Sequence, residues 1–196
     1  MATIISGLIL VLFLITLVSF HELGINKESF KAIYLSFILT GLTFALIIVV
    51  NYLTRITGVT MDAITFSNYT LATGVNLEII YNLITLIIAS VAITDVVSKT
   101  ILKIEDEKEK TFSEKLDTCR EIVSSNVIIL TVAMLALYIP KHLYLISNKY
   151  MGIEICNAES MISEIIRLFI IIIMTSLAMP AIVVNYELKN KLYNKK

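Results

Sequence analysis

The residues best placed to do chemistry are a few ionisable side chains inside long apolar stretches. Asp95 lies in the third such stretch, with Thr94 and Ser98 close by in sequence. Ionisable groups are costly within a membrane and often mark ion or proton pathways. A carboxylate beside hydroxyl groups could therefore bind a cation or carry a proton. The alternative is a structural role, in which Asp95 bonds to a neighbouring helix or pairs with Lys99 or Arg120.

A second pair of charges opens the fifth apolar stretch. Glu164 and Arg167 are three residues apart, a spacing that brings two side chains together on one helix face. We predict a structural ion pair at the membrane edge, where mutual neutralisation lowers the cost of burial. Asn82 and Asn126, each within an apolar stretch, are predicted to form hydrogen bonds between helices.

The sequence offers no set of residues typical of an enzyme. His21 and His142 fall on opposite faces of the membrane in the topology derived below, and neither is followed by a second histidine four residues later. No glycine-rich phosphate loop occurs. Cys119 and Cys156 also fall on opposite faces, so we expect no disulfide between them. We expect no enzymatic activity, no cofactor, no metal site and no binding to nucleic acid.

Composition indicates the elements that must carry these residues. Of 196 residues, 57% are hydrophobic and 16% charged, which is too apolar for a soluble domain. Stretches of about 20 apolar residues cross a bilayer as helices, because helices satisfy their own backbone hydrogen bonds. The sequence predicts an all-α integral membrane protein, a five-transmembrane-helix bundle forming a single domain over residues 1–196. The predicted spans are Ala2–Phe20, Ala32–Leu53, Ile79–Val97, Ile122–Ile139 and Met161–Val184.

The basic residues predict the orientation of this bundle. Twelve lysines and arginines follow the first or third span or lie in the C-terminal tail, against three in the other connections. Because cytoplasmic connections are enriched in basic residues, the N-terminus is predicted outside and the C-terminus in the cytoplasm of a multi-pass cell-membrane protein. The outer connection 54–78 lies on the membrane surface or forms a re-entrant element; both alternatives stay open.

The charged cytoplasmic loop 98–121 contains signals for the ends of two helices. Residues 100–104 are predicted to extend the third helix beyond the membrane. Thr111 and Glu114 have the spacing of a capping box, so we expect the fourth helix to begin near Phe112. Pro180 frees a backbone carbonyl within the fifth span and predicts a kink there.

Several short motifs resemble the YibE/F-like family of bacterial multi-spanning membrane proteins. The likeness is carried by His21–Ala32, Ile56–Gly58, Ala92–Val97, Arg120–Ile122, Glu164–Arg167 and Leu177–Pro180. The chain departs from the family at Val127–Ile129, where the family has Thr-Asn-Thr, and at Ile170 and Ile173, where glycines are usual. A remote likeness to SecDF-type membrane modules is an analogy at the level of fold.

The resemblance and the charged residues together lead to two functional expectations. The first is a membrane subunit of a transport- or export-type assembly, coupled to an ion or proton through Asp95. The alternative is a non-transporting structural or regulatory subunit that holds a paralogous partner, since the resemblance implies that such proteins occur in pairs. The expected partners are the lipid bilayer and a second membrane protein, either a paralogue or another copy of the chain.

Overall fold

The computed structural model describes residues 2–56, 76–106, 111–147 and 159–193, and these ranges are helical apart from short caps. The helices are α1 (Ala2–Leu23), α2 (Lys27–Thr54), α3 (Leu77–Asp106), α4 (Phe112–Ser147) and α5 (Glu159–Tyr193). Each is long and apolar enough to cross a membrane. The prediction of an all-helical chain with five apolar spans is confirmed, and this pattern is that of a multi-pass membrane protein. Most of segment 54–78, and Cys156, lie outside the described residues.

Most of the predicted charged loop belongs to helices. As expected, α3 continues beyond the apolar span, to Asp106, and α4 begins at Phe112. Thr111 and Glu114 form the predicted capping box. The Thr111 backbone N–H donates to Glu114 Oε2 at 2.8 Å, and the Glu114 N–H donates to Thr111 Oγ1 at 3.5 Å. These two bonds fix the start of α4 well before its apolar part.

A short capped turn joins α1 to α2. Gly24 adopts a left-handed φ of 70°, as is usual for glycine just after a helix, and its N–H donates to Phe20 O at 2.9 Å. Asn26 then caps α2, since its Oδ1 accepts from the Glu28 and Ser29 N–H groups, both at 2.9 Å. With only residues 24–26 between them, α1 and α2 run antiparallel.

Helix α3 is the centre of the bundle, because it packs against each of the other four helices. Its fully buried apolar residues include Ala89, Ile93, Val96 and Val97. Helix α4, by contrast, packs mainly on α3 and α5. Helix α5 runs through Pro180 without ending, and a kink there stays a prediction.

The helices alternate in direction, so the bundle has two distinct ends. We call the end where α1, α3 and α5 begin the first end, and the end where they stop the second end. Asn51 near the end of α2 bonds Asn82 near the start of α3, as this arrangement requires. The second end is therefore the one that carries the α1–α2 turn and the α3–α4 connection.

Candidate functional site

Asp95 joins α3 to α4 through one carboxylate oxygen. Its Oδ2 accepts a hydrogen bond from Lys99 Nζ at 2.7 Å, one turn further along α3. The same oxygen accepts from Asn126 Nδ2 on α4 at 2.6 Å. The Asp95 side chain is 25% exposed and that of Lys99 40%. The carboxylate thus has a cation on its own helix and an amide on the next, while Arg120 is not among its described partners.

The structure does not bring Thr94 and Ser98 to the Asp95 carboxylate. Both residues are fully buried, whereas Asp95 is partly exposed. Thr94 Oγ1 donates to the Ser90 backbone carbonyl at 2.6 Å, as threonines in helices commonly do. Ser98 Oγ has no hydrogen-bond partner among the described residues. Both hydroxyls therefore lie on the packed side of α3, and their part in an ion or proton site with Asp95 stays a prediction.

A second polar cluster surrounds the charges of α5. Arg167 Nη1 donates to Glu164 Oε2 at 2.7 Å, so the two form the ion pair expected from their spacing. Arg167 Nε also donates to Thr85 Oγ1 on α3 at 3.1 Å. The guanidinium carbon lies 4.6 Å from the centroid of the Tyr81 ring, which places the cation over an aromatic face. Arg167 therefore bonds both its own helix and α3.

This pair is buried between the helices of the bundle. The side chains of Glu164 and Arg167 are 8% and 4% exposed. Tyr138 on α4 is in electrostatic contact with both charges, which brings a third helix to the cluster. Glu164 Oε1 and Arg167 Nη2 are buried and make no hydrogen bond of good geometry with the described residues. Burial of this kind makes the pair costly to break.

Two further bonds hold the first end of α3. The Tyr81 hydroxyl donates to the Ser163 backbone carbonyl on α5 at 2.7 Å. Asn51 Nδ2 donates to Asn82 Oδ1 at 2.6 Å, so Asn82 makes the interhelical bond expected of it. Sequence reasoning missed Tyr81 and Thr85. The only signal was their spacing of four residues, which puts both on one face of α3.

One known protein family matches nearly the whole of this chain. The model of the family described as YibE/F-like protein matches residues 1–189. The chain belongs to the YibE/F-like family. No curated protein and no solved structure matches it. The resemblance predicted from short motifs is thus confirmed, whereas the likeness to SecDF-type membrane modules gains no support.

In this YibE/F-like protein, two of the short motifs supply the two polar clusters. Ala92–Val97 places Asp95 on α3, and Glu164–Arg167 supplies the buried pair on α5. Thr85 and Asp95 are ten residues apart on α3, about 15 Å by helix rise. The clusters therefore occupy different depths, with the α5 pair nearer the first end and Asp95 nearer the second.

The structure also tests the YibE/F-like protein for metal ligands. Among the described residues, no group of three or more histidine, cysteine, aspartate or glutamate side chains is placed to hold a metal ion. Each of the two clusters instead pairs one carboxylate with one cation, Asp95 with Lys99 and Glu164 with Arg167.

Proposed function

We propose that this YibE/F-like protein is a membrane subunit of a transport- or export-type assembly, coupled to an ion or proton through Asp95. The observation that supports this role is the sharing of Asp95 Oδ2 between Lys99 and Asn126. An ionised carboxylate accepts both bonds, whereas a protonated one is neutral and carries a donor of its own. Proton uptake would therefore weaken the bond to Lys99 and alter the contact between α3 and α4.

The orientation that we propose gives Asp95 access from the cytoplasm. Basic residues concentrate at the second end of the bundle, which by the positive-inside rule faces the cytoplasm of a cell-membrane protein. Asp95 lies eleven residues before the end of α3 at Asp106, about 16 Å by helix rise. The Asp95 side chain is 25% exposed, and in this proposal its exposed part takes up a proton or cation from the cytoplasmic side.

A second candidate function is a structural or regulatory subunit that holds another membrane protein and transports nothing. The observation that favours it is that the carboxylate in each of the two polar clusters is paired with a cation. Asp95 is neutralised by Lys99, and Glu164 by Arg167, so both carboxylates already have cations. In this role the charges would fix the helices against each other, and the protein would copurify with its partner and be unstable alone.

Replacement of Asp95 separates the two candidates. We would reconstitute the full chain, alone and with any copurifying partner, in proteoliposomes and follow proton uptake with an internal pH-sensitive dye. Asp95→Asn keeps the shape of the side chain but cannot be ionised, so it should abolish uptake. Glu78→Gln is the matched control, because Glu78 is an exposed carboxylate at the start of the same helix.

The outcomes are distinct for each candidate. The transport role predicts that Asp95→Asn loses proton uptake and that Glu78→Gln retains it. The proteoliposomes that are compared contain equal amounts of folded protein. Uptake by Asp95→Asn at the normal rate and normal expression would overturn the proton role. A subunit that only holds a partner predicts no uptake by the unaltered protein, together with weaker retention of that partner by the Asp95→Asn variant.

A further inference from the structure

A cavity opens between α2 and α5 at the second end of the bundle. It has a volume of about 220 Å³, and both of these helices pack on α3 beside it. Its apolar walls are Leu35 on α2, Ile101 on α3 and Ile182 on α5. Pockets that enclose a drug-sized molecule measure about 300–1,000 Å³, so this cavity has room for one part of a larger amphipathic molecule.

The rim of the cavity carries charges of both signs. Lys31 Nζ donates to Glu28 Oε1 at 2.7 Å and to Oε2 at 2.6 Å, and Glu105 Oε1 on α3 lies 3.9 Å from the same Nζ. Lys115 Nζ on α4 lies 5.6 Å from the centroid of the Tyr186 ring, which lines the cavity. Two carboxylates and two ammonium groups among the described residues thus lie in or beside the rim. A ligand that itself carries both signs is complementary to this arrangement.

The cavity lies where the apolar part of the bundle meets its charged end. Glu28 and Lys31 belong to the first turns of α2, and the apolar run of this helix begins at Ala32. Tyr34 also lines the cavity and is 66% exposed, as is usual for a tyrosine at a membrane interface. In a bilayer, the charged rim would face the lipid headgroups and the apolar walls the acyl chains.

The chemistry of the rim favours an ammonium group that has N–H donors. The Glu28 and Glu105 side chains are 22% and 27% exposed, so their oxygens are within reach of a ligand. A primary ammonium donates up to three hydrogen bonds, whereas the quaternary ammonium of choline donates none and is bound by enclosing aromatic rings. Tyr34 is too exposed to enclose such a group. A purely anionic headgroup would bring its charge close to both carboxylates.

We propose that this cavity binds the headgroup of a phospholipid with a primary ammonium, such as phosphatidylethanolamine, from the adjoining leaflet. The ammonium donates to Glu28 and Glu105, and the phosphate accepts from Lys31. The first part of an acyl chain lies between Leu35 and Ile182. The ion pair of Lys31 is exposed and contributes little to stability, so the lysine can share its donors with the phosphate. This site does not depend on transport, because it rests on the cavity and its charges.

Tryptophan fluorescence in vesicles tests the site, because the chain contains no tryptophan. Tyr34→Trp places a single reporter at the cavity, and phospholipids with brominated acyl chains quench tryptophan on contact. Tyr52→Trp is the matched control, since Tyr52 is 83% exposed near the other end of the same helix. The two positions are eighteen residues apart, about five helical turns, so they lie on the same face of α2.

The full chain is reconstituted in mixtures of phosphatidylethanolamine and phosphatidylcholine with matched acyl chains, and either lipid in turn carries the bromine. Quenching of Tyr34→Trp should show a preference for phosphatidylethanolamine of at least about tenfold, the ratio that one hydrogen bond to a charged group supplies. At Tyr52→Trp the two lipids should quench equally. Equal quenching at both positions would overturn the proposal. So would a preference of Tyr34→Trp for phosphatidylcholine, or for phosphatidylglycerol in the corresponding mixture.

Removal of one carboxylate tests the contact with the ammonium. Glu28→Gln in the Tyr34→Trp background keeps the size of the side chain but loses its charge, so the lipid preference should fall several-fold. Glu22→Gln is the control, because Glu22 lies on α1 at the same end of the bundle and does not line the cavity. Circular dichroism establishes that each variant is helical. A folded Glu28→Gln variant with an unchanged preference would contradict the assigned contact.

Soluble glycerophosphoethanolamine separates a lipid site from a site for the free headgroup. It carries the same charges without acyl chains, so it cannot fill the space between Leu35 and Ile182. Added at the concentration of the accessible lipid, it should leave the preference of Tyr34→Trp unchanged. Loss of the preference would show that the cavity takes a soluble zwitterion, contrary to the proposal. Proton uptake is not measured in these experiments, so their results are independent of the transport proposal.

Discussion

The Asn126 amide on α4 donates a hydrogen bond of 2.6 Å to the Asp95 carboxylate on α3. This is the bond that ties the central helix to the least buried one. The bond joins residues 31 positions apart, and it connects the proposed ion site to a second helix.

Removal of this amide is expected to destabilise the bundle. Asn126→Ala leaves Asp95 with Lys99 as its remaining described partner, and loss of one partner from a charged, partly buried group costs about 1–3 kcal/mol. We would measure the free energy of unfolding by titrating denaturing detergent into mixed micelles and following helicity. Thr16→Ala is the control, because Thr16 donates only to Leu12 O on its own helix.

The expected difference is specific to the interhelical bond. A loss of stability in Asn126→Ala that is no greater than that in Thr16→Ala would contradict the assigned link between α3 and α4. Asn126→Gln offers a second measurement, since it retains the amide but lengthens the side chain. It should recover part of the lost stability if the amide itself is what matters.

The buried ion pair should respond differently to single and double replacement. Arg167→Leu leaves the Glu164 carboxylate buried without its cation, and breaking such a pair costs about 3–5 kcal/mol. Glu164→Leu combined with Arg167→Leu removes both charges and should regain most of that stability. The same detergent titration measures both variants, and pairwise coupling follows from the complete double-mutant cycle.

Glu28 and Lys31 supply the matched control for this cycle. They form an ion pair at the same three-residue spacing, but the Lys31 side chain is 47% exposed. Exposed pairs contribute about 0–1 kcal/mol, so Lys31→Leu should have little effect. Equal losses in Arg167→Leu and Lys31→Leu would mean that water reaches the Glu164 pair, contrary to its burial.

Gly7 is expected to limit the packing of α1 against α3. A Cβ added at Gly7 would lie 2.5 Å from Leu83 Cδ2 and 3.2 Å from Leu83 Cγ, so Leu83 must move. Extra atoms in a packed contact cost about 1–3 kcal/mol, whereas alanine gains about 1 kcal/mol over glycine within a helix, so Gly7→Ala should be less stable than Gly41→Ala. The matched control is Gly41→Ala, because nothing lies within 4 Å of a Cβ there. Thermal unfolding in detergent distinguishes the two.

A second replacement, at Leu83, checks whether contact with this side chain is the cause. Shortening Leu83 removes the atoms that the new methyl group would meet. Gly7→Ala combined with Leu83→Ala should therefore cost less than the sum of the two single changes. Additive losses, or a Gly41→Ala variant as unstable as Gly7→Ala, would show that the α1–α3 approach does not limit stability.

Much of the fold could be predicted from the sequence because its signals are local. Long apolar stretches predict helices that cross a membrane, and the Thr111–Glu114 box predicts where α4 begins. Asn82 and Asn126 were expected to bond across helices, since an amide in a span needs a partner. Each of these inferences uses residues within one helix or at its end.

The partners of the polar residues could not be predicted in the same way. Thr85 and Arg167 are 82 positions apart, and their bond depends on how α3 and α5 pack. The same packing buries the Glu164 pair between helices, which its three-residue spacing alone does not indicate. Such relationships require the arrangement of all five helices.

The central place of α3 has a consequence for the order in which the protein is made. Synthesis runs from the N-terminus, and segments that emerge first can begin to assemble first. Helix α3 is the third to leave the ribosome, and it packs against α1 and α2. The Gly7–Leu83 contact and the Asn51–Asn82 bond can therefore form before α4 is synthesised. The last two helices are therefore added to a unit whose central helix is already in place.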